Sequence, residues 1–411
     1  MIDKTCSDAS SLQRVHEGGP VRDGINGFSR HLAEQGYAPW TTKEKIRVIS
    51  RFSGWLERRH RGMEDLNEQG VSEFLQYRRR RGLSVHGAPP ALHDLLAYLR
   101  DAGIVPYARV EGGPLDAIEG GFTQFLAEER GLSTRTVIHY LPTVRAFLSE
   151  RFGAGPVALD ELTAKDIPGF ILRHAKRVGP RHVQLITTVL RCFFRFLRER
   201  GEISMDLAAS VPSVADWRLS ELPKFLEPEH VERLLETCNQ TTDAGRRDHA
   251  VLLLLARLGL RAGEVVHMEL DDIDWENGAI MVRGKSRRED RLPLPTDVGE
   301  ALAAYLSEAR PRCPSRTVFL RLRAPRQGFS SSVAICDIVR RALRRAGLHP
   351  GRKGSHLLRH GLAVKMLRGG ASLAEIGEIL RHELPTTTEI YAKVDVASLR
   401  ALALPWQGGE S

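Results

Sequence analysis

The feature that most constrains the fold is a weak internal repeat in the N-terminal half of the chain. Residues 24–110 and 118–210 share an ordered pattern at a separation of about 94 to 98 positions. The matched pairs are Phe28 with Phe122, Leu32 with Leu126, Leu66 with Leu162, Val71 with Ile167, Phe74 with Phe170, and Leu99 with Leu197. Apolar spacings of three and four, a capping residue at Ser133, and glycines at Gly103 and Gly201 predict helices. We therefore expect two similar helical modules; the alternative is that amphipathic helices merely resemble one another.

The second half of the chain has a different pattern. A stretch near residues 213–226 with several prolines and serines is predicted to be a linker. Beyond it, 229–237 and 249–258 are predicted to be helices, and the second is almost wholly apolar, so we expect it at the centre of a core. Two short strands are predicted at 274–282 and 291–294, and helices are expected to dominate from there on.

The chain is basic. Its 411 residues carry 60 Lys and Arg against 51 Asp and Glu, a formal charge of +9, which favours nucleic acid as a partner first and an anionic membrane surface second. The longest apolar run, Val251–Ala256, is far shorter than the roughly 20 residues that span a bilayer. The polar N-terminus lacks the pattern of a signal peptide, so we expect a cytoplasmic protein. The five cysteines are scattered without a C-x-x-C pair, which argues against a disulfide framework or a zinc knuckle.

The C-terminal part also contains residue types that could attack a phosphodiester. These candidates are Arg261, Lys285, His356, Arg359, His382 and Tyr391. Arginine and lysine supply positive charge for a phosphate, histidine moves protons, and tyrosine offers a nucleophilic oxygen. Each type taken singly is more often a surface or packing residue, so the sequence around each candidate decides its meaning.

Those surrounding sequences resemble one family. Residues 258–265, Leu-Gly-Leu-Arg-Ala-Gly-Glu-Val, closely resemble the first arginine box of the tyrosine recombinase (phage integrase) family. Residues 282–285 look like its lysine hairpin, and 356–361 match its H-x-x-R-H box. Residues 380–382, followed by 386–391, match its final histidine and nucleophilic tyrosine. All of these motifs occur in the family's order.

The resemblance implies covalent catalysis on DNA. Tyr391 is expected to attack the scissile phosphate, forming a 3′-phosphotyrosyl bond and releasing a 5′-hydroxyl. The phosphoester energy is kept in the protein–DNA link, so no ATP is required. Arg261 and Arg359 are expected to hold the non-bridging oxygens, because a guanidinium stays charged and presents a planar fork of donors.

The other three candidates are expected to move protons or hold the phosphate. Lys285, on a mobile hairpin, is predicted to protonate the departing 5′-oxygen. His356 is predicted to accept the tyrosine proton and to help hold the phosphate. His382 is predicted to donate a hydrogen bond to that phosphate or to position Tyr391.

No cofactor and no metal are expected. His356 and His360 are spaced four residues apart, as two metal ligands on one helix face would be. Leu357 stands where a zinc metalloprotease motif needs Glu, and no third ligand is evident. The arginines and the lysine already supply the positive charge that a metal would.

The chain departs from the family pattern at two positions. Arg381 stands where the final histidine is usually preceded by Gly, and Gly361 stands where the family often has Thr or Ser.

Glu264, three residues after Arg261, is a candidate partner for that guanidinium; the alternative is a surface carboxylate.

The predicted fold is mainly α-helical and multidomain. We expect an N-terminal helical domain at 1–110, a core-binding helical domain at 111–215, both SAM-like, and a catalytic domain at 216–411 that is rich in α-helix and carries a small antiparallel sheet. The helices at 114–213 and the catalytic domain are expected to clasp the duplex as a C-shaped clamp. Arg78–Arg81 are predicted to form a phosphate-contacting edge, with a solvated helix face as the alternative.

The resemblance also implies partners: double-stranded DNA, and a homotetramer on two DNA sites. An apolar C-terminal segment is predicted to dock on the next protomer or, alternatively, on its own domain; it contains Val396, Leu399, Leu402, Leu404 and Trp406. The extra N-terminal length favours a transposon-borne or plasmid-borne integrase that works with sister recombinases. Two rival functions are a type IB topoisomerase-like nicking and closing enzyme, and a catalytically inactive DNA-binding accessory subunit.

Overall fold

The computed structural model describes residues 21–106, 113–153, 155–214, 222–284 and 289–394. These residues form two compact units: 113–214 by itself, and 21–106 together with 222–394. The fold is mainly α-helical with one small antiparallel sheet, as the sequence predicts. The expected domain limits near 110 and 215 fall at 107–112 and 215–221, outside the described residues, so they stay a prediction.

The described N-terminal residues, 21–106, form four helices around their own core. The helices are α1 (Arg22–Glu34), α2 (Pro39–Glu57), α3 (Glu68–Arg80) and α4 (Ala88–Asp101), with a 3₁₀ turn at Met63–Asp65. Asn67 caps α3 because its side-chain oxygen accepts a hydrogen bond from the backbone N–H of Gly70 at 2.9 Å.

The second unit repeats this order of elements. Its helices are α5 (Pro114–Gln124, continued by a π-helical turn at Phe125–Glu129), α6 (Thr134–Phe152), α7 (Asp166–Ala175) and α8 (Pro180–Glu199), with a 3₁₀ turn at Leu159–Glu161. Every apolar residue matched between the two sequence copies is buried in its own core. Gly103 and Gly201 follow the last helix of each copy with φ angles of +68° and +77°. The repeat in sequence is therefore a repeat in structure.

The C-terminal part is built around one buried helix. Its elements are α9 (Pro228–Glu236), α10 (Asp243–Arg257), α11 (Ala262–Val266), α12 (Thr296–Ala304, continued by a π-helical turn at Tyr305–Ala309), α13 (Val333–Arg345), α14 (His356–Arg368) and α15 (Leu373–Ile379). The apolar run Val251–Ala256 is buried in α10, as predicted. That helix begins earlier than expected, because Thr242 caps it by accepting a hydrogen bond from Gly245 N–H at 3.1 Å.

The sheet corrects one sequence prediction. The residues 274–282 were predicted to be one strand, but they contain a tight turn between β1 (Ile273–Asp274) and β2 (Ala279–Arg283). The Asn277-Gly278 pair makes this turn: Gly278 has a φ of +58°, and Asp274 accepts hydrogen bonds from Asn277. The third strand, β3 (Glu289–Pro293), pairs antiparallel with β2, so the predicted hairpin is present.

Three further predictions fall wholly or partly on residues that the structure does not describe. Lys285 lies in 285–288, the apolar C-terminal segment lies in 395–411, and part of the predicted linker lies in 215–221. Among the described residues, no helix is both long enough and apolar enough to cross a membrane.

Candidate active site

Arg261 stands at the start of α11, where its own helix holds its side chain. Glu264, three residues on, accepts hydrogen bonds from the Arg261 backbone N–H and from its Nη1, each at 2.7 Å. The Glu264 side chain is 5% exposed and that of Arg261 34%. The guanidinium is thus fixed on one side and open to solvent on the other, as a phosphate-binding arginine needs to be.

The glycine before this helix lets three segments meet. Gly259 has a φ of +60°, and a Cβ there would lie 2.7 Å from Leu380 Cδ2. Its carbonyl accepts a hydrogen bond from Arg359 Nη1. Gly259 is therefore needed both for its backbone conformation and for close packing at the site.

Arg359 lies on α14 and is buried. Besides the Gly259 carbonyl, the Leu380 carbonyl accepts a hydrogen bond from its guanidinium. Burial, followed by repulsion from Arg261 and Arg381, lowers the pKa of Arg359 to about 10. The Arg359 guanidinium is still charged at neutral pH. Its two hydrogen-bond acceptors are neutral carbonyl oxygens, which do not neutralise that charge.

Tyr391, on the 3₁₀ turn Glu389–Val394, lies against α14. Its hydroxyl is 2.7 Å from Nδ1 of His360, and its side chain is only 1% exposed. Burial raises the pKa of Tyr391 to about 12, although Arg359 opposes the shift. Burial, with His356 and Arg359 adding to it, lowers the pKa of His360 to about 4. The neutral imidazole is thus the hydrogen-bond acceptor and the phenol the donor.

The remaining two histidines flank this pair. The ring of His382 stacks parallel to Tyr391 at a centroid distance of 6.4 Å, and its Nδ1 lies 2.7 Å from Thr388 Oγ1. Burial, then the cations Arg359 and Arg261, lowers its pKa to about 4. The ring of His356 lies 6.2 Å from that of His360. His356 is exposed, yet partial loss of surrounding water, followed by repulsion from Arg359 and Arg261, lowers its pKa.

The structure thus brings Arg261, His356, Arg359, His382 and Tyr391 together. Lys285 is outside the described residues. On either side of it along the chain, Arg283 of β2 and Glu289 of β3 are paired across the two strands. No group of three or more His, Cys, Asp or Glu side chains in the described part of the chain is arranged to hold a metal ion.

Sequence reasoning missed two residues of this site. His360, rather than His356, makes the hydrogen bond to Tyr391. The sequence does not reveal this, because residues spaced by four lie on the same helix face. Arg381 is 4% exposed and donates to Glu264, so it belongs to the interior of the site. Its place before the final histidine, where Gly is usual, was the one available signal.

Two family models match the chain. The phage integrase family matches residues 224–398, and the N-terminal SAM-like domain of phage integrases matches residues 120–201. A Sinorhizobium fredii protein named "Putative integrase/recombinase y4rA" is 46% identical over 402 residues, 97% of each chain. The tyrosine recombinase XerC of Oceanobacillus iheyensis is 31% identical and covers 68% of this chain and 92% of its own. XerD of Listeria innocua is 33% identical and covers 68% and 94%.

Solved structures share the fold. The XerH site-specific recombinase bound to palindromic difH substrate aligns with a TM-score of 0.56 at 17% identity, covering 74% of this chain and 99% of its own. A lambda integrase (75–356) dimer bound to a COC′ core site aligns with a TM-score of 0.52 at 20% identity, covering 67% and 94%.

The family match supports DNA strand transferase activity. The chain belongs to the phage integrase family of tyrosine recombinases.

Proposed function

We propose that this protein is a site-specific recombinase of a mobile element or plasmid that cuts and rejoins duplex DNA through Tyr391. One observation supports this most strongly: a buried phenol is hydrogen-bonded to a neutral histidine, in one site with two arginines. Arg359 binds carbonyl oxygens there, and Arg261 shares the Glu264 carboxylate with Arg381. That arrangement supplies a nucleophile, a proton acceptor and a phosphate clamp in one place.

In the proposed reaction, the Tyr391 oxygen attacks the scissile phosphorus and its proton passes to His360. A Tyr–O–P bond forms as the bond from phosphorus to the 5′-oxygen breaks, which leaves a 3′-phosphotyrosyl link. Lys285 gives the proton that converts the leaving 5′-oxygen to a hydroxyl. Attack by another 5′-hydroxyl reverses these steps on a new strand, so no ATP is consumed.

The cations act on the phosphate. Arg261 and Arg359 hold the non-bridging oxygens as negative charge develops in the transition state. The geometry favours His360 over His356 as the acceptor of the phenol proton. His356 and His382 are then left to donate hydrogen bonds to the phosphate. We propose that no metal takes part, so EDTA leaves cleavage unchanged.

The reaction requires a local movement. Tyr391 is buried at 1% exposure, and a phosphate must approach its oxygen within about 3 to 3.5 Å for attack. The turn Glu389–Val394 therefore shifts when DNA binds, so that the phenol oxygen becomes accessible to the phosphate while it keeps its hydrogen bond to His360 on α14.

The proposed partners are double-stranded DNA, further copies of this chain and sister recombinases of the same element. A lambda integrase tetramer bound to a Holliday junction shares the fold, with a TM-score of 0.51 at 19% identity, and the proposed working form is likewise a tetramer on two sites. The helices of residues 114–213 and the catalytic part are proposed to clasp the duplex. The DNA substrate puts the reaction in the cytoplasm.

The N-terminal copy is proposed to bind additional DNA. Arg59 lies over the rings of Trp55 and Tyr77, and Arg81 over Tyr77, at 4.7 to 5.9 Å from the ring centroids. We define Arg59, Arg79, Arg80 and Arg81, which are all exposed, as the basic cluster. Arg78, expected to join them, is buried instead and donates to the Ser84 carbonyl at 2.9 Å from Nε.

A recombination assay tests the function against its topoisomerase-like rival. A supercoiled plasmid carrying two copies of an end sequence from the element or replicon that encodes this protein is incubated with wild type in EDTA. Recombinant circles of the predicted sizes support the proposal. Relaxed topoisomers without recombinants would favour nicking and closing, and an unchanged plasmid despite binding would favour an accessory subunit.

A further inference from the structure

Arg381 adopts a backbone conformation that most residues avoid. Its φ is +56°, in the left-handed region where the Cβ of any residue other than glycine crowds the following carbonyl oxygen. The family pattern places Gly at this position, which has no such crowding. This chain has a long cation there, and its side chain turns inward and is buried.

The left-handed turn aims two successive carbonyls at the two phosphate-binding arginines. The Leu380 carbonyl accepts from Arg359, and the Arg381 carbonyl accepts from Arg261 Nη2 at 2.9 Å. The backbone of this one segment therefore orients both guanidiniums. A glycine would serve that purpose equally well, so it does not explain the arginine side chain.

The Arg381 side chain binds the carboxylate that holds Arg261. Its Nη2 lies 2.9 Å from Glu264 Oε2, the oxygen that also accepts from the Arg261 backbone N–H. The other oxygen, Oε1, accepts from Arg261 Nη1. One buried carboxylate is thus held at both oxygens by two arginines that are 120 residues apart in the chain.

The charges around Glu264 do not cancel. If Arg381 were glycine, Glu264 and Arg261 would form a neutral pair and Arg359 would be the one remaining guanidinium in this group. With Arg381 present, three guanidiniums face one carboxylate. A buried cation is costly, and Arg381 Nε has no hydrogen-bond partner among the described residues. Such a strained and incompletely satisfied residue points to a functional role.

We propose that Arg381 is a positioning residue that acts through Glu264: it fixes the carboxylate and shares its charge, so that Arg261 keeps its orientation and its net positive charge for the scissile phosphate. This inference rests on the proposed function. It predicts that the effect of replacing Arg381 on the cleavage rate grows with the negative charge on the phosphate. Replacing a purely structural residue would have the same effect whatever that charge.

The test is single-turnover cleavage of two matched nicked duplexes, one with the ordinary scissile phosphate and one with a methylphosphonate, which lacks one negative charge. Arg381→Gly should slow cleavage of the ordinary duplex by roughly 10- to 100-fold. On the methylphosphonate its effect should shrink to less than about threefold, because less charge needs stabilising. Arg261→Ala is the benchmark for this pattern, and Arg381→Lys should recover part of the rate.

A double-mutant cycle tests the route through Glu264. The double variant Arg381→Gly with Glu264→Gln should be about as slow as Glu264→Gln alone, since both act on one contact. The matched control is Arg247→Lys, which alters another buried arginine paired with a buried carboxylate, Asp248, at 2.7 Å. It should affect both duplexes equally.

Equal rate reductions on both duplexes, or fully multiplicative effects in the cycle, would overturn the positioning role. Measuring the free energy of unfolding separates misfolding from misorientation, and Arg381→Gly should not lower it, because relief of the left-handed strain offsets removal of the ion pair. If wild type forms no adduct with either duplex, the proposed function fails and the inference fails with it.

Discussion

Tyr391 and His360 form a hydrogen-bonded pair whose pKa values are shifted in opposite directions. Burial raises the pKa of the phenol to about 12 and lowers that of the imidazole to about 4. The proton therefore stays on the tyrosine in the resting protein. In the proposed reaction the neutral imidazole accepts it, and Arg261 and Arg359 stabilise the charge that develops on the phosphate.

Removing the His360 imidazole should slow DNA cleavage and leave DNA affinity nearly unchanged. We expect His360→Ala to lower the single-turnover cleavage rate by about 100-fold or more while DNA affinity stays nearly unchanged. In wild type the rate should fall only as pH drops toward about 4, where His360 becomes protonated. The exposed His230→Ala is the control, and an unchanged rate in His360→Ala would refute the assignment.

Two half-buried histidines also link stability to pH. His360 and His382 have folded pKa values of about 4, below their ordinary value of 6.5. Between those values the unfolded chain binds more protons, so the free energy of unfolding should fall as pH is lowered from about 6.5 to 4. Denaturant unfolding at several pH values should show a shallower fall in the double variant His360→Asn with His382→Asn; an identical fall would contradict this origin.

The residues of the site were only partly predictable. Arg261, Arg359, His382 and Tyr391 sit in motifs whose order carries information. The motifs do not show which histidine is the partner of the Tyr391 hydroxyl, because His356 and His360 share a helix face. The packing of the turn Glu389–Val394 selects His360. Arg381 was visible as a departure from a pattern, but its inward direction depends on the φ of its backbone.

At the scale of elements, α14 is positioned by a close backbone contact. A Cβ on Gly361 would lie 2.9 Å from the carbonyl oxygen of Leu226, in the segment before α9. This explains why Gly361 stands where the family often has Thr or Ser. The side chain would push α14, and with it Arg359 and His360, away from the neighbouring segment.

Gly361→Thr should therefore lower the free energy of unfolding by about 1 to 3 kcal/mol, because the contact leaves no room for added atoms. Gly263→Ala is the matched control: it also changes a helical glycine, but its Cβ meets nothing within 4 Å. Denaturant unfolding followed on both variants checks the difference. Equal stability of Gly361→Thr and wild type would contradict this role of the close packing.

Element types were easier to predict than their limits. Periodicity predicted the buried helix α10, while its earlier start depends on the cap at Thr242. The Asn277-Gly278 turn was a readable signal that a prediction of one strand from 274 to 282 overlooked. Caps and turns are set by one or two side chains, so a pattern averaged over ten residues does not reveal them.

At the scale of the whole molecule, the chain carries its helical module twice. The SAM-like family model matches residues 120–201, and the helices of 21–106 follow the same order. The copy at 21–106 packs in one compact unit with the C-terminal part, where Arg326 N–H donates to the Gln35 carbonyl at 2.9 Å. The repeat was readable from the sequence, whereas this packing was not.

Neutralising three of the four arginines in the basic cluster tests whether this copy binds DNA. Changing Arg79, Arg80 and Arg81 to Gln should weaken DNA binding and reduce the dependence of log K on log salt by about 0.9 for each phosphate that is no longer neutralised. The control variant changes Arg47, Arg61 and Arg100, which pair with Glu44, Glu73 and Glu68. Titrations at several salt concentrations that give both variants the same slope would contradict DNA binding by the cluster.

The most direct measurement is covalent capture on nicked suicide duplexes in EDTA, read on denaturing gels. Wild type should form a protein–DNA adduct, and Tyr391→Phe should bind the duplexes without forming one. Tyr305→Phe, which alters a buried tyrosine whose hydroxyl accepts from Leu320 N–H, should keep the adduct. An adduct that survives in Tyr391→Phe, or no wild-type adduct despite clear binding, would contradict the account.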